Sequence, residues 1–133
     1  MKVRTSTLLA FIVASSLLSV GLYADEVKGS PPPGLASYYF VLLTRGPQWT
    51  ADKTPATEKI QTAHLANIAK LHDAGKLVLA GPFTDDGNWR GIFIFKTSSI
   101  EETKSLVESD PAVQAGRLTY EIHPWATKQG MLP

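Results

Sequence analysis

No cysteine occurs among the 133 residues, so the chain has neither disulfides nor thiolate metal sites, and it cannot be anchored as a lipoprotein through a thioether. It also has no basic cluster. That sets aside a nucleic-acid surface, whose affinity comes from a concentrated positive footprint. Gly-x-Gly-x-x-Gly, a phosphate loop and a nucleophilic serine elbow are absent as well, and so are internal repeats. The longest uncharged apolar stretch, from Leu8 to Val20, falls short of the roughly 20 residues of a membrane span and contains Ser15, Ser16 and Ser19. Histidine is sparse and dispersed (His64, His72, His123), with no His-x-x-x-His spacing, so no metal and no cofactor is expected.

The apolar stretch reads as something other than a span. Lys2 and Arg4 precede it, and Leu22-Tyr23-Ala24 closes it on a small residue before Asp25-Glu26, which is the order of a cleavable secretory signal. Residues 1–24 are therefore predicted to be removed on export, leaving a protein without membrane attachment in a periplasm or outside the cell. Cleavage would reduce the 13 basic residues to 11 against 12 acidic ones, for a mature charge near −1. Residues 25–36, with three prolines at 31–33 between Gly29 and Gly34, read as a flexible linker. Residues 37–126 have the length of one domain with a genuine core, and 127–133 form a tail.

Within that domain the elements alternate. Ser37–Leu43 (SYYFVLL) is rich in aromatic and β-branched residues and reads as a strand. A loop with Arg45, Gly46, Pro47 and Trp49 follows, and a helix starts with Thr54 as N-cap and Pro55 in its first turn, running to Ala74 with Gly75 as stop. Steps of about 100° put Ile60, His64, Ile68 and Leu71 on one stripe, with Lys59, Thr62, Ala66, Lys70 and Asp73 opposite. Lys76–Gly81 and Gly91–Phe95 read as a hairpin turning at Asp86-Gly87. Ser98 or Ser99 caps a second helix that ends near Ser109, before Pro111, and Asp110–Val113 reads as a short helical turn. Leu118–His123 alternates as a half-exposed strand does. The order βαββαβ predicts an α+β, ferredoxin-like fold: a four-stranded antiparallel sheet with two helices on one face. Strands one and three are apolar on both faces, which the helices alone cannot cover, so the second face is expected to meet an identical subunit in a homodimer.

Ala63-His64-Leu65 in helix one, Gly75-Lys76-Leu77-Val78-Leu79-Ala80-Gly81-Pro82 across strand two, and Asp110-Pro111-Ala112-Val113 with Gly116 before strand four give the stretch Tyr38–Trp125 a resemblance to the YCII-related family. That family lies in the dimeric α+β barrel superfamily. The resemblance implies a dimer, a pocket between sheet and helix one, and a histidine and an aspartate as its polar pair, which by motif are His64 and Asp110. It also implies a range of activities, from a dehydrochlorinase of ring-cleavage pathways to isomerases and monooxygenases that need no metal. Many relatives carry an acidic residue just beyond strand one, where this chain has Thr44-Arg45-Gly46.

His64 is a general acid/base candidate because imidazole exchanges its proton near neutral pH and this one interrupts an apolar stripe; a core histidine bonded to a backbone carbonyl fits the same pattern. Asp110 either orients that ring or only caps the short helix. Arg45 and Arg90, at strand ends, suit a substrate carboxylate, and Trp49 and Trp89 suit an aromatic rim, although exposed loop arginines and packing tryptophans are the ordinary alternatives. His123 lies either at the mouth of the same pocket or simply at an exposed strand end, while His72 belongs to the surface. The expected function is small-molecule binding, with acid/base chemistry of lyase or isomerase type at His64. The alternative is a non-catalytic binding or interaction module in which His64 is structural. A haem-degrading monooxygenase has no support beyond the fold.

Overall fold

The computed structural model describes residues 30–133. The predicted signal segment 1–24 and the first part of the linker lie outside the described residues. Aromatic and β-branched side chains build β1 (Leu35–Arg45), which starts two residues earlier and ends two later than its apolar run suggests. It is one of two inner strands, pairing antiparallel with β3 (Trp89–Phe95) on one side and β4 (Leu118–Lys128) on the other, while β2 (Leu77–Pro82) pairs with β3. The strand order is β2-β3-β1-β4. With α1 (Pro55–Asp73), α2 (Ile100–Glu108) and the short α3 (Pro111–Gln114) this is the ferredoxin-like α+β fold. None of the helices among the described residues is long and apolar enough to cross a membrane.

The helix ends are set by local chemistry. Thr54 caps α1 by accepting from Thr57 N–H, Thr57 returns a bond to the Thr54 N–H, and Pro55 follows where its missing donor costs nothing. Gly75 stops the helix at a φ of 69°, in the left-handed region open to glycine. Ser99 caps α2 by accepting from Glu102 N–H, and Asp110 caps α3 by accepting from Ala112 N–H. β4 runs five residues past His123, through Pro124. Proline is tolerated there because β4 is an edge strand, which has no outer neighbour to receive an N–H.

Val41, Leu43, Leu77, Phe93, Phe95 and Leu118 on one face of the sheet meet Leu71, Val107 and Ala112 from the helices in the core. Two irregularities decide which strand residues join that face. Between Leu77 and Leu79 the pairing with β3 shifts, so that Leu77 and Ala80 turn to the core while Leu79 stays exposed on the other face. Between Leu43 and Thr44 the register passes from Gly91 to Trp89, leaving Arg90 as the extra residue of a bulge.

Candidate functional site

His64 is brought to the sheet by the periodicity of α1. The same stripe that buries Leu71 and half-buries Ile60 and Ile68 puts the imidazole against Phe93, the rings stacked at 6.0 Å with 27° between their planes. Its Nδ1 lies 2.8 Å and 2.9 Å from the two carboxylate oxygens of Asp110, whose side chain is only 1 % exposed. The motif-based pairing of His64 with Asp110 is thus a direct contact.

Asp110 does two jobs at once. One oxygen accepts from Ala112 N–H at 2.9 Å, completing the cap of α3, and the other accepts from the Asn67 amide at 3.1 Å. Burial works against a charge here and is the largest single influence, yet the His64 bond and charge, then Asn67 and the Ala112 N–H, outweigh it and hold the carboxyl below its ordinary range. An ionised carboxylate can only accept, so Nδ1 carries the shared proton and Nε2 is the ring nitrogen left to a ligand. Asn67 carries no motif of its own. Its signal was its position three residues after His64, one turn along the same helix face.

His64 forms part of the wall of a cavity of about 310 Å³ between α1 and the sheet, otherwise mostly apolar through Leu43, Leu65, Ile68, Ala80 and Phe93. Trp49 and Arg90 also line it. The bulge explains Arg90: strict alternation from Gly91 would turn it to the far face, and the extra residue turns it back toward the cavity. Arg45 does not line the cavity but stands behind its rim, 5.5 Å from the Trp49 ring centre and 2.8 Å from the Asp86 carboxylate.

His123 is not brought into this site. It pairs with Phe40 while its neighbour Ile122 pairs with Val41 of the core face, so alternation sends His123 to the face away from the helices, where it lies 3.4 Å from Glu121. Trp89 is excluded for the same reason, being opposite Thr44 and packed on Phe83. His72 is exposed beside Asp73. Among the described residues, no three His, Cys, Asp or Glu side chains converge as metal ligands would.

Residues 38–126 match the model of the YCII-related domain. Protein YciI of Escherichia coli O6:H1 is 35% identical over 79 residues, a match taking in 51% of this chain and 81% of that protein, and Protein YciI of Shigella flexneri gives the same figures. Among solved structures, 5-chloro-2-hydroxyhydroquinone dehydrochlorinase (TftG) from Burkholderia phenoliruptrix AC1100, in complex with 2,5-dihydroxybenzoquinone, aligns with a TM-score of 0.50 at 25% identity, covering 66% of this chain and 92% of its own.

Proposed function

The chain belongs to the YCII-related domain family, and from that premise we propose that it binds a small planar molecule in the cavity under α1 and moves a proton on it through His64. The observation that carries this reading is the 2.8 Å contact of His64 Nδ1 with a buried, ionised Asp110 in the wall of an apolar cavity. A carboxylate on Nδ1 fixes the tautomer and faces the charge of the imidazolium that forms when Nε2 accepts a proton. That suits a lyase or isomerase step, in which the electron pair of the broken bond to hydrogen expels a leaving group or shifts a double bond. The similar dehydrochlorinase supports the ligand class, since its structure holds a six-membered quinone.

The reading extends to assembly and place. The mature domain is a homodimer joined through the sheet face that the helices leave open, and residues 1–24 are cleaved as it is exported. An intact mass of the exported protein beginning at Asp25 supports the second statement, and retention of Met1 contradicts it.

The activity is tested with 5-chloro-2-hydroxyhydroquinone as substrate and chloride release as readout. His64→Ala is expected to lower kcat by about 10²–10⁴-fold with the fold retained by circular dichroism. Turnover unchanged by that substitution would make His64 a structural residue, and ligand binding with no chloride release even in the wild type would make the protein a binding module.

A further inference from the structure

Three arginines surround one tryptophan at the rim of the cavity. The guanidinium carbons of Arg90, Arg117 and Arg45 lie 4.6, 5.2 and 5.5 Å from the centre of the Trp49 ring. They arrive from three separate places: the end of β1, the β3 bulge and the residue before β4. What gathers them is backbone pairing. Gly46 N–H donates to the Arg117 carbonyl and Gln48 N–H to the Gly116 carbonyl, both at 2.9 Å, which lays the β1–α1 loop and its Trp49 against Arg117.

Stacking on an aromatic face accounts for one or two cations, but three also repel one another and call for anionic compensation. Among the described residues the ion pairs of this cluster supply a single carboxylate, Asp86, at 2.8 Å from Arg45 and 4.0 Å from Arg90. The Asp86 side chain is 95% exposed, so water competes for it and it holds the cations weakly. Otherwise the guanidinium groups donate to backbone carbonyls: Arg45 to Asp86, Arg90 to Asp85 and Gly87, and Arg117 to Thr50. Arg45 Nε is buried with no acceptor at all. A groove beyond Trp49 also holds Asp52 and Glu58, so the cationic feature is this collar and not the whole surface around it.

We propose that Arg45, Arg90 and Arg117 around Trp49 form an anion subsite at the rim of the His64 cavity, so that the ligand is a small planar acid whose ring enters the apolar part while its carboxylate meets the collar. This rests on the reading of that cavity as a small-molecule site, and it adds the charge of the ligand and its orientation. Arg90 and Trp49 face the cavity directly, Arg117 reaches the same ring, and Arg45 positions the tryptophan and shares Asp86.

The test titrates the full-length chain with 2,5-dihydroxybenzoate and with hydroquinone, the same ring with and without a carboxylate, by calorimetry at low and high salt. The benzoate is expected to bind about tenfold more tightly, with the advantage shrinking as salt screens it. R90Q and R117Q are each expected to erase most of that advantage, read in each variant as the ratio of benzoate to hydroquinone affinity, and in R117Q, at a residue that does not line the cavity, hydroquinone affinity is expected to stay within about twofold. Because Arg117 also donates to Thr50, D86N supplies a variant on an exposed side chain: removing the competing carboxylate is expected to tighten benzoate binding about two- to fivefold. Equal or weaker binding of the benzoate, or a preference that survives in both arginine variants, would overturn the anion subsite and leave the ring-binding reading standing. Failure of both ligands to bind would overturn the two together.

Discussion

At Asp110, opposing influences meet on one side chain, and that makes its behaviour testable. Burial pushes the carboxyl up and His64 is the main group that brings it down, so His64→Ala is expected to raise the Asp110 pKa above the ordinary carboxylate value. Carboxyl carbon NMR titration reads this directly, and a value that stays low would show that Asn67 and the Ala112 N–H suffice. The sign for stability follows. A folded value below the unfolded one contributes stability at pH above the ordinary carboxylate range, and that contribution is lost as pH falls through the folded value. The His64→Ala chain, with its order reversed, is expected to lose about 1–3 kcal/mol near neutral pH, measured by urea midpoints, because a buried acceptor has lost its principal donor. His64 was legible because one imidazole interrupts an apolar helical stripe, and Asp110 because it sits at a cap before proline. Arg117 was not, since nothing in its local sequence says that Gly46, in a loop far earlier in the chain, will pair with its carbonyl.

The elements themselves were legible in kind and order, because caps, prolines and glycines punctuate the chain where helices and turns begin and end. Strand limits and the two register shifts were not: a bulge is a property of two strands together, and it is what separates Arg90, in the cavity, from Trp89, on the far face. Two elements depend on identifiable contacts. The first turn of α2 is fastened to the start of β2, where Lys76 Nζ lies 2.6 Å from Glu102, whose other oxygen accepts from Ser98 N–H and Oγ–H. The Lys76 bond first, then those from Ser98, hold Glu102 down at about 2 from 4.5. Its contribution is therefore full above about pH 4.5 and is lost as pH falls toward 2, and Glu102→Gln is expected to flatten that part of the pH–stability curve. An unchanged acid slope in thermal melts would contradict this. The β1–α1 loop depends on Gly46, where an added Cβ would overlap the Gly116 carbonyl oxygen. Gly46→Ala is expected to cost about 2 kcal/mol or more in stability and to weaken ligand binding, since Trp49 hangs from the displaced loop; stability and affinity within error of wild type would mean that the backbone yields freely.

For the molecule as a whole, the open sheet face sets the expectation. Phe40, Leu42 and Ile92 are only partly covered, and Leu79 and Trp125 are about 40% exposed. Apolar surface of this extent around the centre of a sheet is what a second subunit would bury. Light scattering at micromolar concentration is expected to give the mass of a dimer. Ile92→Lys, which puts an ammonium at the centre of that face, is expected to weaken association at least about a hundredfold while leaving the monomer folded. A wild-type monomer would refute the arrangement. The bonds that close the site join residues far apart in the chain: 46 residues separate His64 from Asp110, 43 separate Asn67 from Asp110, and 67 separate Thr50 from Arg117. On the ribosome the imidazole is therefore made well before its carboxylate, and Trp49 well before the last of its arginines. A nascent or truncated chain that stops short of Asp110 carries the imidazole without the carboxylate that bonds its Nδ1, so the proposed proton transfer requires nearly the whole chain.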